Sequence, residues 1–149
     1  MSIAMPTTSA PHCRTSRTAA LFTLNYNGRS QCVPVEPEDE AIRDLMNRHQ
    51  RTNDKGFGRA AGPDAVDCAA ASFAAAGYQV RREASDWMLL PGQRELQRQL
   101  IEGWAHAAEE IAPEQTSMIH NWLARRLAHV EEARSRVVVG HDDVAAWLP

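Results

Sequence analysis

The chain has 149 residues, 44% of them apolar and 23% charged, which is enough for one folded domain with its own core. Its 16 basic and 19 acidic residues leave a net charge of −3, far from the strongly basic surface that nucleic acid or an anionic membrane selects. No apolar run approaches a membrane span. Cys13, Cys32 and Cys68 lack C-x-x-C spacing, so neither a disulfide framework nor a zinc cage is expected, and the cytoplasm is the default compartment.

Residues 1–18 are rich in Ser, Thr and Pro without hydrophobic periodicity and read as a disordered leader; a secretory peptide would need an apolar core that is missing here. Residues 19–26 are nearly continuous in apolar character, as in a strand buried on both faces of a helix-covered sheet, and Asn27-Gly28 signals a turn. Val33-Pro34-Val35-Glu36-Pro37 is extended, since residues before proline avoid the helical region. A helix fits residues 38–49, with Ile42, Leu45, Met46 and His49 on one face and three acids at its positive end. Residues 50–58 form a polar, glycine-bearing loop. Pro63-Asp64 opens a second helix to about Ala76, with Val66, Ala70, Phe73 and Ala74 inward and Gly77 ending it.

Residues 78–83 alternate as a strand with one solvated face, and residues 85–90 stay extended before Pro91-Gly92. Two amphipathic helices follow. One carries Leu96, Leu100, Ile101, Trp104, Ala108 and Ile111; the other, from near Pro113, carries Ile119, Trp122, Leu123, Leu127 and Val130. Residues 135–141 read as a short buried strand, and residues 144–147 as a small apolar tail.

No G-x-G-x-x-G joins a strand to a helix, and no Walker loop, H-E-x-x-H or G-x-S-x-G is present. His106, His120 and His129 fall on helices and read as partly solvated. His141 beside Asp142-Asp143 would need a third ligand to hold a metal and has no nucleophile to serve as a hydrolase. Trp104 and Trp122 lie on apolar stripes and read as core anchors. The stretch His49-Gln50-Arg51-Thr52-Asn53-Asp54-Lys55-Gly56-Phe57-Gly58 differs in gathering a histidine, an arginine, the only lysine and an aromatic in one loop. Its bland reading is a solvated connector. Its functional reading is a substrate-contacting loop beyond a central strand, where α/β enzymes place them. Asp86 and Trp87, at a strand end, form a second candidate pair.

On the phrases LFTLNYNG, NRHQRTNDKGFGRAAGPDA, AGYQVRREASDWML and SRVVVGHDDVAAW, the chain resembles the carboxy-terminal half of bacterial class I S-adenosylmethionine-dependent methyltransferases, over residues 19–149. The resemblance implies an α/β fold: a partial Rossmann-like sheet of three strands with flanking helices, the last strand antiparallel and central. Residues 137–139 would then lie between residues 19–26 and 78–83. The family's donor site belongs to the four strands that precede this half, so no cofactor-binding or catalytic residue carries over. S-adenosylmethionine is the parent family's cofactor and is not expected to bind this chain tightly. The acceptor side would retain His49, Gln50, Arg51, Lys55, Phe57, Asp86 and Trp87 as contacts to a small-molecule methyl acceptor. The outer edge of residues 19–26 would be bare, inviting self-association or a partner chain; neither nucleic acid nor membrane is expected as a partner. The alternative function is a non-enzymatic interaction module or one half of a split enzyme.

Overall fold

A computed structural model describes residues 18–52 and 60–149. It is α/β, with an open antiparallel sheet of four strands and flanking helices. In chain order these are β1 (Ala20–Val33), α1 (Asp39–Thr52), a 3-10 turn (Gly62–Asp64) leading into α2 (Ala65–Ala75), β2 (Gln79–Ala84), β3 (Trp87–Leu89), α3 (Arg94–Ile111), a 3-10 turn (Pro113–Gln115) leading into α4 (Thr116–Glu131), and β4 (Arg136–Trp147). The strand order is β1-β4-β2, with β3 also pairing β4. No helix among the described residues is long and apolar enough to cross a membrane.

The last strand is thus central, as expected, but the sheet has four strands rather than three. β3 arises because the extended residues after Asp86 find backbone partners on β4, with Trp87, Met88 and Leu89 opposite Val139, Val138 and Val137. Residues 137–139 therefore pair with β3 and not with residues 78–83. It is the second half of β4 that meets β2, from Gln79 opposite Trp147 to Ala84 opposite Asp142. The expected separation into a short strand and an apolar tail is likewise replaced by one strand of 12 residues. β1 also outruns its expected end: Gly28 takes φ 85° within the strand, a conformation glycine adopts without a Cβ clash, so the Asn27-Gly28 signal bends the strand without ending it.

The contacts divide into two compact units, and β1 and β4 run through both. The first unit's described residues are 18–28, 50–52, 60–86 and 140–149. Its core gathers Phe73, Tyr78 and Ala146, with Ala20, Phe22, Ala76, Val80 and Leu148 packed against them. The Phe73 ring lies 5.7 Å from Phe22 and 5.2 Å from Tyr78, the latter edge-on, the tilted geometry that aromatic quadrupoles favour. On α2, Val66, Ala69 and Phe73 are buried, while Ala74 faces solvent and Ala70 is half-buried, so the buried stripe is rotated from the expected one. β1 is not enclosed on both faces: Leu21, Thr23 and Leu24 are exposed, whereas Phe22 turns to the core.

The second unit, Arg29–His49 and Trp87–Val139, is built on α3 packing against α4. Ile101, Trp104, Ala108, Ile119, Trp122 and Val130 are buried, the period-3.6 stripes expected of both helices. Leu96 is exposed, and Gln97 takes its place inside. Gln97 spans a gap in backbone pairing, its Nε2 donating to the carbonyls of Leu90 (2.7 Å) and Ser135 (3.2 Å). Arg126, completely buried, continues the stripe of α4. It donates to both carboxylate oxygens of Asp39, where Trp122 Nε1 also donates (2.8 Å), and to the Pro34 carbonyl beyond the cis Val33–Pro34 bond. The preceding residue, Arg125, bonds Glu36 and Glu38, and one turn along His129 Nε2 lies 2.7 Å from Glu36 Oε1. His129 is therefore nearly enclosed, with 13% of its side chain exposed, unlike the solvated His106 and His120.

The His129 hydrogen bond, then that of Arg125, holds the Glu36 carboxyl below its ordinary value of 4.5. A lowered folded value means that the unfolded chain binds the proton first. This stabilisation is present above the ordinary carboxylate range and is lost as pH falls through the lowered value. Glu36→Gln should therefore flatten the fall in stability on acidification below about pH 4.5, as read from urea midpoints of both proteins at about pH 3 and pH 6.

Candidate functional site

The densest polar convergence in the first unit lies where β2 ends beside β4. Arg82 and Asp142 sit on neighbouring strands, diagonal in the register, which places their side chains on one face. Arg82 donates to Asp142 Oδ2 at 2.7 Å and to Asp67 on α2; these carboxylates raise the Arg82 guanidinium above its ordinary value. Asn27 Nδ2 donates to the same Asp142 oxygen at 2.9 Å, and Asn25 Nδ2 to the Asp142 carbonyl at 3.0 Å. Asp143, on the other face of β4, accepts from Ser85 Oγ and from the Leu24 amide, both at 2.8 Å. Leu24 has φ 56°, a left-handed turn of the chain uncommon for leucine, and the carboxylate takes the amide that this turn directs away from the ladder.

Asp86 continues the constellation. The Ser85 amide donates to the His141 carbonyl at 2.9 Å, and the His141 amide donates to Asp86 Oδ1 at 3.1 Å. The Asp86 side chain thus extends the β2–β4 pairing at the point where the backbone turns toward β3. His141 is 6% exposed, and its imidazole meets the Tyr26 ring edge-on at 6.2 Å. The Asp142 and Asp143 carboxylates have arginine, asparagine, serine and amide donors, which suits fixed positioning of three strands rather than proton transfer. Cys32, in the second unit, is equally unsuited as a nucleophile: burial pushes its thiol up to about 12, against the opposing pull of Arg126.

The remaining expected site residues fall as follows. Arg51, in the last turn of α1, is paired through two nitrogens with the Asp64 carboxylate at 3.0 and 3.2 Å, which raises its guanidinium above the ordinary value. Gln50 precedes it on α1 and is half-buried. Gly62 fits against this turn at φ 55°, where a Cβ would come 3.0 Å from Arg51 Cγ and 3.2 Å from the Gln50 carbonyl carbon, so only glycine suits both the backbone and the space. In the second unit, His49 Nε2 is 2.6 Å from Glu110 Oε2, and Trp87 is 42% exposed on β3. Lys55 and Phe57 lie outside the described residues. Arg51, His49 and Asp86 are each held by a different partner.

Arg82, Asn25, Asn27, Ser85, Asp142 and Asp143 were not marked by sequence as a group. The signal that could have joined them is the pair of acids within an apolar strand, which demands donors from whatever strands lie alongside. Among the described residues no group of three His, Cys, Asp or Glu side chains is arranged to hold a metal. In the second unit a groove of about 500 Å³ runs beside residues 30–33 and the start of α1, lined in part by Val33, Val35, Glu36, Asp39 and Arg43. Two of its carboxylates, Glu36 and Asp39, are those already gripped by α4. Comparisons with protein-family models, with curated proteins and with solved structures return no match.

Proposed function

We propose that the chain is the acceptor-side half of a class I S-adenosylmethionine-dependent methyltransferase and that it does not transfer a methyl group by itself. The observation that carries this reading is the strand order β1-β4-β2, with the last strand central and antiparallel to β2, the arrangement that the resemblance implies for the end of the methyltransferase sheet. The reading is of a Rossmann-like sheet completed by another polypeptide segment. Methyl transfer depends chiefly on holding donor and acceptor in line, and the 149 residues contain no glycine-rich loop between a strand and a helix to hold the donor.

Calorimetry tests both parts. The chain alone should give no heat with S-adenosylmethionine. Mixed with the donor-binding half of a class I methyltransferase encoded in the same genome, it should form a complex that binds the donor and transfers labelled methyl groups to small molecules. Micromolar donor binding by the chain alone overturns the reading. A stable complex without methyl transfer favours the second reading, an interaction module. That reading draws on Trp87, Met88, Leu90 and Leu96, large apolar side chains close together in the chain that are 42%, 71%, 53% and 47% exposed.

A further inference from the structure

We propose that β2 pairs antiparallel with β2 of a second copy of this chain, in the register that sets Arg81 of each copy against Glu83 of the other. Among the described residues β4 is the only strand that pairs β2, so β2 forms an edge of the sheet, distinct from the edge at β1. Five of its six residues are exposed. The Ser85 amide donates to the carbonyl of His141, which stands opposite it as the β2–β4 register continues. In an antiparallel pair, hydrogen-bonded positions alternate with non-hydrogen-bonded ones. Gln79, Arg81 and Glu83 therefore also turn their amides and carbonyls to β4, and Val80, Arg82 and Ala84 turn theirs outward.

A strand that meets its own copy antiparallel is related to it by a two-fold axis, and the residue on that axis fixes the register. Centring on Arg82 pairs all three outward-facing residues: Arg82 with Arg82, and Val80 with Ala84 on either side. It also places each Arg81 directly opposite Glu83 of the other copy, at non-hydrogen-bonded positions where side chains stand closest. Moving the axis by one residue sets Arg81 against Arg81 or Glu83 against Glu83, and like charges directly opposite repel. Charges that deter other strands from an edge thus admit this one partner. Arg81 and Glu83 lie 2.8 Å apart, with 71% and 64% of their side chains exposed, on the face away from Val80. There Glu83 has Asp143 as its β4 neighbour, whose donors, the Ser85 hydroxyl and the Leu24 amide, are neutral. A second arginine beside Glu83 offsets that surplus of acid. On the other face the two Arg82 side chains approach each other, but each is held by Asp142 at 2.7 Å and Asp67 at 2.5 Å, two carboxylates that offset the like charge.

Sedimentation equilibrium of the full chain should show monomer and dimer exchanging with a Kd on the order of 100 µM, weaker than an obligate interface because the contact is short. Arg81→Glu and Glu83→Arg each set like charges opposite and should each weaken dimerisation about tenfold. Mixed together, the two variants should recover it, because the two acids of one then face the two arginines of the other. Both side chains are exposed, so the urea midpoint of each variant should stay close to that of the unsubstituted chain. Amide exchange at Val80, Arg82 and Ala84 should slow as protein concentration rises. A chain that stays monomeric at about 500 µM, single variants that dimerise as tightly as the unsubstituted chain, or a mixture no tighter than its components overturns the proposal.

Discussion

Arg126→Met should lower the free energy of unfolding by about 3–5 kcal/mol, the cost of removing one partner from a buried ion pair. Arg126 is completely buried, and its guanidinium is the main donor to the Asp39 carboxylate and the Pro34 carbonyl. Methionine fills much of the volume, so the loss measures the stranded acceptors more than a cavity. Asp39 would keep the Trp122 indole but would remain a largely enclosed anion without its cation. The double variant Asp39→Asn with Arg126→Met should be less destabilised than the sum of the two single variants, because the second change removes the charge that the first leaves unpaired. Urea unfolding with unchanged slope and a lower midpoint is the expected reading. Arg125→Met, on the same helix but half-exposed, should cost much less. Equal losses at the two arginines would remove Arg126 from its place at the centre of the second unit.

Phe73→Ala should cost a similar amount, about 3–5 kcal/mol, through a different mechanism. Its ring is fully buried between Phe22 and Tyr78, so truncation removes apolar contacts from β1 and from the start of β2 together and leaves a void. Ala74→Ser, one residue along on the exposed side of α2, should change stability by no more than about 0.5 kcal/mol. Amide exchange near Tyr78 and Val80 should accelerate in Phe73→Ala and stay unchanged in Ala74→Ser. A neutral Phe73→Ala would mean that the first unit draws its stability from elsewhere.

The helices were legible because their apolar spacing is regular, and Ile42, Leu45 and Met46 on α1 face inward as the sequence implies. What sequence concealed is polar. Gln97 and Arg126 occupy stripe positions of α3 and α4, four residues before Ile101 and four after Trp122. A reading that follows apolar residues steps over them and selects Leu96 or Leu127 instead. Their spacing was a usable sign; of the partners that make their burial tolerable, the Ser135 carbonyl and the Asp39 carboxylate lie far away in the chain. β4 was cut in two for the same reason, since Asp142-Asp143 interrupts its apolar run, and nothing local shows that Arg82, Asn27 and Ser85 wait across the sheet. Of the expected contacts, Arg51 and Asp86 turn out to be bound to residues of the fold itself, because a polar side chain at the end of an element serves equally well to close that element.

The adjacent aspartates have a further consequence for how β4 finds its place. Val137–Val138–Val139 and Val144–Ala145–Ala146 are slippery sequences: small, similar side chains that would sit almost as well one position up or down. A shift of one residue against β2 would turn every side chain to the opposite face, sending Asp142 away from Arg82 and Asn27 and Asp143 away from Ser85 and the Leu24 amide. Both carboxylates would lose their donors at once, a penalty that runs of valine and alanine could never impose. The acids that seem to interrupt the strand are its alignment pins, and they let a nearly featureless run of residues settle in one frame.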